Sequence, residues 1–303
     1  MVDFLIIGTI AWDRPVYIKG HLQPGARLLG QSIEGSLSGR LGGGAANAGS
    51  ALIGAGHTVG IGSFVRDNEE GEDILRECLG RGLDISLVSK IKSTPKGKSI
   101  ILIDASGERS VLYLDYKTDQ LDAFYKVLAN QAPALTEIQA MNPRAVFARG
   151  PHPGFDEWLT TTDVPVLAHW PWKANAKVPA NVLVGSADDL GLSLSSSSEQ
   201  IFSAARDAAT DKLEWALVTD GKKGVVATNG TDRFESTPPK VVQVDSTGAG
   251  DIFAAGFLEA WMSGGTISEA LDHGCSWGAE CVQIKNSSPD KQKQSFFKRF
   301  TKV

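Results

Sequence analysis

The sequence predicts an α/β fold built on a mainly parallel sheet with helices on both faces, and three observations carry that prediction. Short Val/Ile/Leu runs recur between Ala/Leu-rich stretches, the alternation of strand and crossover helix. The first run, Phe4-Leu5-Ile6-Ile7, is apolar at every position and reads as a buried strand. Finally, 303 residues of which 42% are hydrophobic supply ample apolar surface for a core. Length alone allows about two domains; the unbroken alternation favours one large domain.

Taken in order, the first strand spans 3–7 and stops at Gly8. Residues 15–39 interrupt the alternation and read as short strands and turns with no helix. The glycines at 42–44 open a helix over 44–55, followed by a strand over 58–64 and a helix over 69–80. A second interruption spans 97–116, where Lys98–Ile103 and Arg109–Leu114 read as strands around the turn Ala105-Ser106-Gly107-Glu108. Then come a strand over 145–149, a helix over 154–162, and strands over 164–168 and 181–184. His169-Trp170-Pro171-Trp172 reads as an aromatic cap on a core edge. The serine-rich stretch Leu192–Ser198 reads as a solvated loop that caps a helix over 198–209 at Ser198. A strand over 214–219, a glycine turn and a second strand precede helices over 249–263 and 268–284.

The formal net charge of −5, with no basic run beyond Lys298-Arg299, argues against a nucleic-acid ligand. The apolar stretch before Gly8 is too short for a signal-peptide core, and no longer apolar span suggests a membrane helix. Cys78, Cys275 and Cys281 have no metal-ligand spacing and leave one thiol over in any disulfide scheme, which fits a reduced cytoplasm. The sequons at Asn229 and Asn286 are then incidental. Gly25–Ser32 has the glycine spacing of a P-loop, but Gln31 stands where the lysine would reach the phosphates.

The most informative stretch is Asp245-Ser246-Thr247-Gly248-Ala249-Gly250-Asp251, running into Ile252-Phe253-Ala254-Ala255-Gly256-Phe257. Small residues at 248–250 let backbone approach an anion, and the free N–H groups of the helix that follows point at it. Asp251, in the first helical turn, is placed to take a proton from an attacking hydroxyl. An ordinary capped helix start would need only part of this string. The whole string resembles the C-terminal signature of the ribokinase-like (PfkB) carbohydrate kinases. That resemblance implies a three-layer α/β/α sandwich with a small β-strand lid, Asp251 as general base, and Gly248, Ala249 and Gly250 as the anion hole.

Two further stretches are similar to the same family. Gly42-Gly43-Gly44-Ala45-Ala46-Asn47 resembles its acceptor-binding turn, which implies that Gly42, Gly43 and Asn47 contact sugar hydroxyls. Asp13 falls where the family carries a substrate Asp, a residue type able to accept from two vicinal hydroxyls; a turn Asp before Pro15 is the competing reading. The element Thr219-Asp220-Gly221-Lys222-Lys223-Gly224 is similar to the family's nucleotide-lining motif and implies roles for Thr219, Gly221 and Gly224, with Cys275 near the adenine. Where the family carries Asn-x-x-Glu for magnesium, this chain has Gly185-Ser186-Ala187-Asp188-Asp189. Either Gly185 and Asp188 or Ser186 and Asp189 replace the pair, so Asp188 and Asp189 are the candidates to hold magnesium through water. Gly49 and His169 are further departures, and the chain reads as an atypical member. The resemblance also implies a potassium site at Asp245 and Thr247, and lid strands at about 14–40 and 97–116 that serve as a homodimer contact; an edge hairpin explains the strands equally well.

The expected activity is therefore ATP- and magnesium-dependent phosphorylation of a hydroxyl, on a hydroxymethyl group of a small sugar. A nucleoside kinase is one alternative, suggested by Trp12 beside Asp13. A non-catalytic sugar or nucleotide sensor is another, suggested by the altered magnesium element.

Overall fold

The computed structural model describes residues 1–23, 25, 27–32, 39–92, 98–114, 127–171, 177–285 and 288–301. Ala26 of the Gly25–Ser32 stretch, Trp172, and Asn286 with Ser287 of the second sequon lie outside them, as do parts of both predicted lid segments.

A nine-stranded sheet forms the centre, in the order β14 (Arg233–Ser236), β13 (Val225–Thr228), β12 (Trp215–Thr219), β11 (Val182–Ser186), β10 (Val166–Trp170), β9 (Ala145–Ala148), β1 (Phe4–Ile7), β5 (Val59–Arg66), β6 (Asp84–Ile91). Neighbours are parallel from β6 through β12, while the β12–β13 and β13–β14 pairs are antiparallel, so that β13 alone is reversed in this sheet. Strand periodicity explains the layers. Along β1, Phe4 and Ile6 face one core while Leu5 and Ile7 face the other. The first core is closed by α1 (Gly44–Gly54), α2 (Glu69–Gly80), and a late helix pair, Ala249–Met262 and Ile267–Val282. The second is closed by α3 (Leu135–Met141), α4 (Pro153–Thr161) and, past the four-residue α5 (Ala187–Leu190), by α6 (Ser198–Ala208). The late pair are α7 and α8, and a short α9 (Lys291–Gln294) ends the series.

A second sheet stands apart, in the order β3 (Gly30–Ser32), β2 (Ala11–Ile18), β7 (Lys98–Ile103), β8 (Arg109–Leu114), with β4 (Arg40–Gly42) also paired to β2. β3, β7 and β8 fall within the stretches expected to break the α/β alternation, whereas β2 begins four residues before the first of them and β4 lies just after it. β2 leaves the end of β1 after three residues, and β4 leads straight into α1, so this small sheet grows from the C-terminal edge of the large one.

Several elements differ from the sequence reading. β10 begins at Val166, two residues later than expected, because Pro165 has no N–H to give the ladder. β6 and α3 were not expected. β6 is a half-exposed edge strand whose polar residues hide its pattern, and α3 is only seven residues long. The cap of α6 is Ser197, whose hydroxyl accepts from Gln200 N at 3.1 Å, one residue before the expected Ser198. Trp170 is buried in the second core.

On α7, Glu259 is a buried carboxylate held between His57 Nε2 and His273 Nε2, each at 3.1 Å, and it accepts from Phe300 N at 3.0 Å. Burial pushes its carboxyl up, but the bonds from His273, His57 and Phe300 outweigh that and hold it at about 2. The cysteines are free and buried. Among the described residues no helix is long and apolar enough to cross a membrane.

Candidate active site

The strand order reverses between β9 and β1, and ligands of open α/β sheets bind where such a reversal leaves a crevice at the C-terminal strand ends. Gly8 follows β1 there and Arg149 follows β9. A methyl on Gly8 would stand 2.7 Å from Arg149 Cβ, so the absent side chain at 8 makes room for the arginine. The N-termini of α1 and α7 open onto the same place.

Two motif residues far apart in the chain meet at this crevice. Asn47, in the first turn of α1, donates through Nδ2 to Asp251 Oδ2 at 2.9 Å. Arg149 donates through Nε to Asp251 Oδ1 and forms an ion pair with it. Asp251 is buried, which pushes its carboxyl up; the Arg149 charge and the bonds from Arg149 and Asn47 pull harder, leaving it below the usual carboxylate range. His169, on β10, adds a smaller pull in the same direction. Sequence reasoning missed Arg149. Its place as the last residue of an expected central strand was the available signal, since such ends carry site residues in open α/β sheets.

The glycines of the first motif have distinct jobs. Gly43, before α1, has φ +85°, and a Cβ there would lie 2.4 Å from the Thr9 carbonyl oxygen, so only glycine fits. A Cβ on Gly42 would lie 2.0 Å from Asp13 Oδ2, so the carboxylate rests on bare backbone. Asp13 is buried on β2 opposite Arg40 and accepts from Ser99 Oγ at 3.2 Å. Burial raises its carboxyl above the usual range despite the opposing effects of Arg40, Ser99 and Arg109. Asn47 Oδ1 is buried with no hydrogen-bond partner among the described residues. A buried carboxylate and a buried amide oxygen are acceptor types that suit the hydroxyls of a polyol.

Gly248 has φ +82° and precedes α7 with no side-chain cap; Ala249 N donates to the Ser246 carbonyl at 3.3 Å, and no side chain among the described residues takes up the other N–H groups of the first turn. A Cβ on Gly250 would meet nothing within 4 Å, so this flank of the turn is open. Asp245 and Thr247 sit just before it, both buried, with Thr247 N donating to Asp245 Oδ1 at 2.9 Å. Arg40 Nη1 lies 2.8 Å from Asp245 Oδ2. The small sheet reaches the same turn a second time, where Ser246 N donates to the Gly107 carbonyl at 2.9 Å.

The third motif lies at the ends of β11 and β12. Thr219 Oγ1 donates to the Gly185 carbonyl at 3.2 Å, and Gly221 opens the turn to β13. Gly224, at φ +116°, has its would-be Cβ 2.3 Å from the Ser236 carbonyl oxygen. Ser236 Oγ donates to Asp272 on α8 at 2.5 Å. Cys275, on the same helix, is buried; burial raises its thiol and a contact with Ser236 opposes it. Thr219, Gly221, Gly224 and Cys275 thus border one end of the sheet together. Asp188 and Asp189 are exposed on α5, and Ser186 Oγ caps that helix by accepting from Asp189 N at 3.2 Å. Asp188 acts on the exposed Lys223 ammonium. Among the described residues no three His, Cys, Asp or Glu side chains cluster as a metal cage.

A family profile described as "pfkB family carbohydrate kinase" matches residues 30–146 and 171–294. The chain is 26% identical over 293 residues to an ATP-dependent ribose-1-phosphate kinase of Halopiger xanaduensis, covering 92% of this chain and 91% of that protein. It is 25% identical over 295 residues to the ribokinase of Bacillus subtilis, covering 92% and 95%. Among solved structures, Arabidopsis thaliana ribokinase complexed with ribose and ATP superposes with a TM-score of 0.67 at 19% identity, covering 99% of both chains. The crevice between β9 and β1 therefore sits in a ribokinase-like fold, and the chain belongs to the pfkB family of carbohydrate kinases.

Proposed function

We propose that this kinase transfers the γ-phosphoryl group of ATP to a hydroxyl, on a hydroxymethyl group, of a small sugar, and that residues 1–303 act as one ribokinase-like domain. The observation that carries the reading is the Asn47–Asp251 hydrogen bond, which joins an acceptor-type ligand to a base-type carboxylate. Asp13, Asn47 and the backbone of Gly42 and Gly43 hold acceptor hydroxyls. Asp251 takes the proton of the attacking hydroxyl while the Gly248-Ala249-Gly250 turn faces the charge that builds on the phosphoryl oxygens. Thr219, Gly221, Gly224 and Cys275 line the nucleotide. Magnesium keeps several waters and takes its remaining oxygens from phosphates, so exposed Asp188 and Asp189 suit it through water better than a closed cage would. The bound ion would neutralise phosphate charge during transfer.

Trp12 gives no support to a nucleoside acceptor. Neighbouring strand residues point to opposite faces, and Trp12, half-buried, packs against the first core. The partly exposed edge strand β8, with Leu112 and Tyr113, supports a homodimer through the small sheet. The three cysteines, free and buried, support a cytoplasmic site of action.

ADP formation from magnesium-ATP across free sugars, sugar phosphates and nucleosides tests the reading, with Asp251→Asn alongside. Turnover confined to sugars and lost in the variant is the expected outcome. Nucleotide binding with no turnover on any acceptor would favour the sensor instead.

A further inference from the structure

The potassium site implied by the family resemblance does not fit the donor set at Asp245. A monovalent cation there would need the Asp245 carboxylate and nearby carbonyl oxygens. Both kinds of oxygen are already engaged by one guanidinium: Arg40 Nη1 lies 2.8 Å from Asp245 Oδ2 and donates to the Lys285 carbonyl at 2.9 Å. The other carboxylate oxygen accepts from Thr247 N at 2.9 Å, and Tyr17 OH donates to Oδ2 at 3.3 Å. The pair is shielded from solvent, with 10% of the Arg40 side chain and 1% of the Asp245 side chain exposed. Lys285 does not compete for the carboxylate, since its Nζ lies over the Tyr17 ring at 5.1 Å from the centroid. A guanidinium stays charged at any working pH.

We propose that Arg40 is the resident cation of the Asp245 site, a positioning residue that fixes the 245–250 turn and makes the kinase independent of potassium. Arg40 is delivered by β4, directly opposite Asp13 on β2. The same strand pair that presents the acceptor carboxylate therefore braces the anion turn, a link that a freely exchanging ion would not provide. The functional half of this statement rests on the kinase reading; the ion-binding half does not.

The experiment measures thermal unfolding and ADP formation for wild type, Arg40→Met and Arg40→Lys in potassium, sodium and tetramethylammonium chloride at one ionic strength. Wild type should show the same midpoint and the same turnover in all three salts. Arg40→Met should lose turnover by roughly 10²-fold, the size of loss that misplacement by about 1 Å brings, and should regain turnover and midpoint in potassium or sodium but not in tetramethylammonium. Arg40→Lys, which keeps a charge, should remain indifferent to the salt. A wild type that gains stability or turnover specifically from potassium overturns the proposal, and so does a folded Arg40→Met that is fully active and blind to the ions. Should Arg40→Met fail to fold, the wild type and Arg40→Lys series still decide. If no acceptor yields ADP, the kinase reading fails on its own while the unfolding series continues to test the ion claim.

Discussion

Asn47 Nδ2 and Asp251 Oδ2 stand 2.9 Å apart although 204 residues separate them in the chain. The contact fixes one oxygen of the proposed base and leaves Asn47 Oδ1 as a buried acceptor. Asn47→Ala should raise the acceptor KM roughly 10-fold or more, since a site built to bond a hydroxyl loses both orientation and a charge-assisted bond. Nucleotide affinity should stay unchanged. Steady-state kinetics with either substrate varied will check both statements.

Asp251→Asn keeps the shape of the side chain and removes its basicity. Turnover should fall by roughly 10²–10⁴-fold while circular dichroism shows a folded protein. Near-normal turnover by folded Asp251→Asn would remove the general-base role.

Arg149→Met tests the electrostatics of the same carboxylate. Through its charge and its hydrogen bond, Arg149 is the largest of the groups that together outweigh burial and keep Asp251 low. Without it the carboxyl pKa rises, so the acid limb of kcat/KM should move to higher pH. An unmoved acid limb would mean that another group sets it.

Two glycines should respond oppositely to the same change. Gly43→Ala forces a Cβ to 2.4 Å from the Thr9 carbonyl oxygen at φ +85°, and should destabilise by about 1–3 kcal/mol. Gly250→Ala meets nothing within 4 Å. It should leave stability unchanged or improve it by about 0.5–1 kcal/mol, yet lower turnover roughly 10-fold or more by crowding the anion turn. Thermal midpoints and turnover measured together separate the two cases.

Glu259 should give the fold an acid-sensitive link. Its carboxyl is at about 2 in the folded protein against an ordinary 4.5. The unfolded chain therefore binds the proton more readily. The stabilisation is complete above about pH 4.5 and is lost as pH falls toward 2, on the order of 3 kcal/mol in all. Denaturant midpoints taken down this range should fall more steeply for wild type than for Glu259→Gln, which starts less stable.

The sequence was most readable where local pattern and local structure coincide. The strand over 3–7, the helix over 69–80 and the start of the helix at 249 are set by short-range periodicity and turn chemistry, and they lie within a residue of their expected limits. Asn47 and Asp251 were singled out through strings whose order is itself informative, and Asp13 by its place after the first strand. Arg149 and Arg40 were not, because each is an ordinary arginine by its neighbours and gains meaning only from a carboxylate brought to it by the sheet order. Strand pairing, not spacing, puts Arg40 beside Asp13 and within reach of Asp245.

The small sheet grips the 245–250 turn twice, through Arg40 on Asp245 and through the Gly107 carbonyl on Ser246 N. On the roles proposed above, those joints tie the acceptor side to the anion turn: a displacement of the small sheet would loosen both at once, and the geometry for transfer would be complete only with the sheet seated.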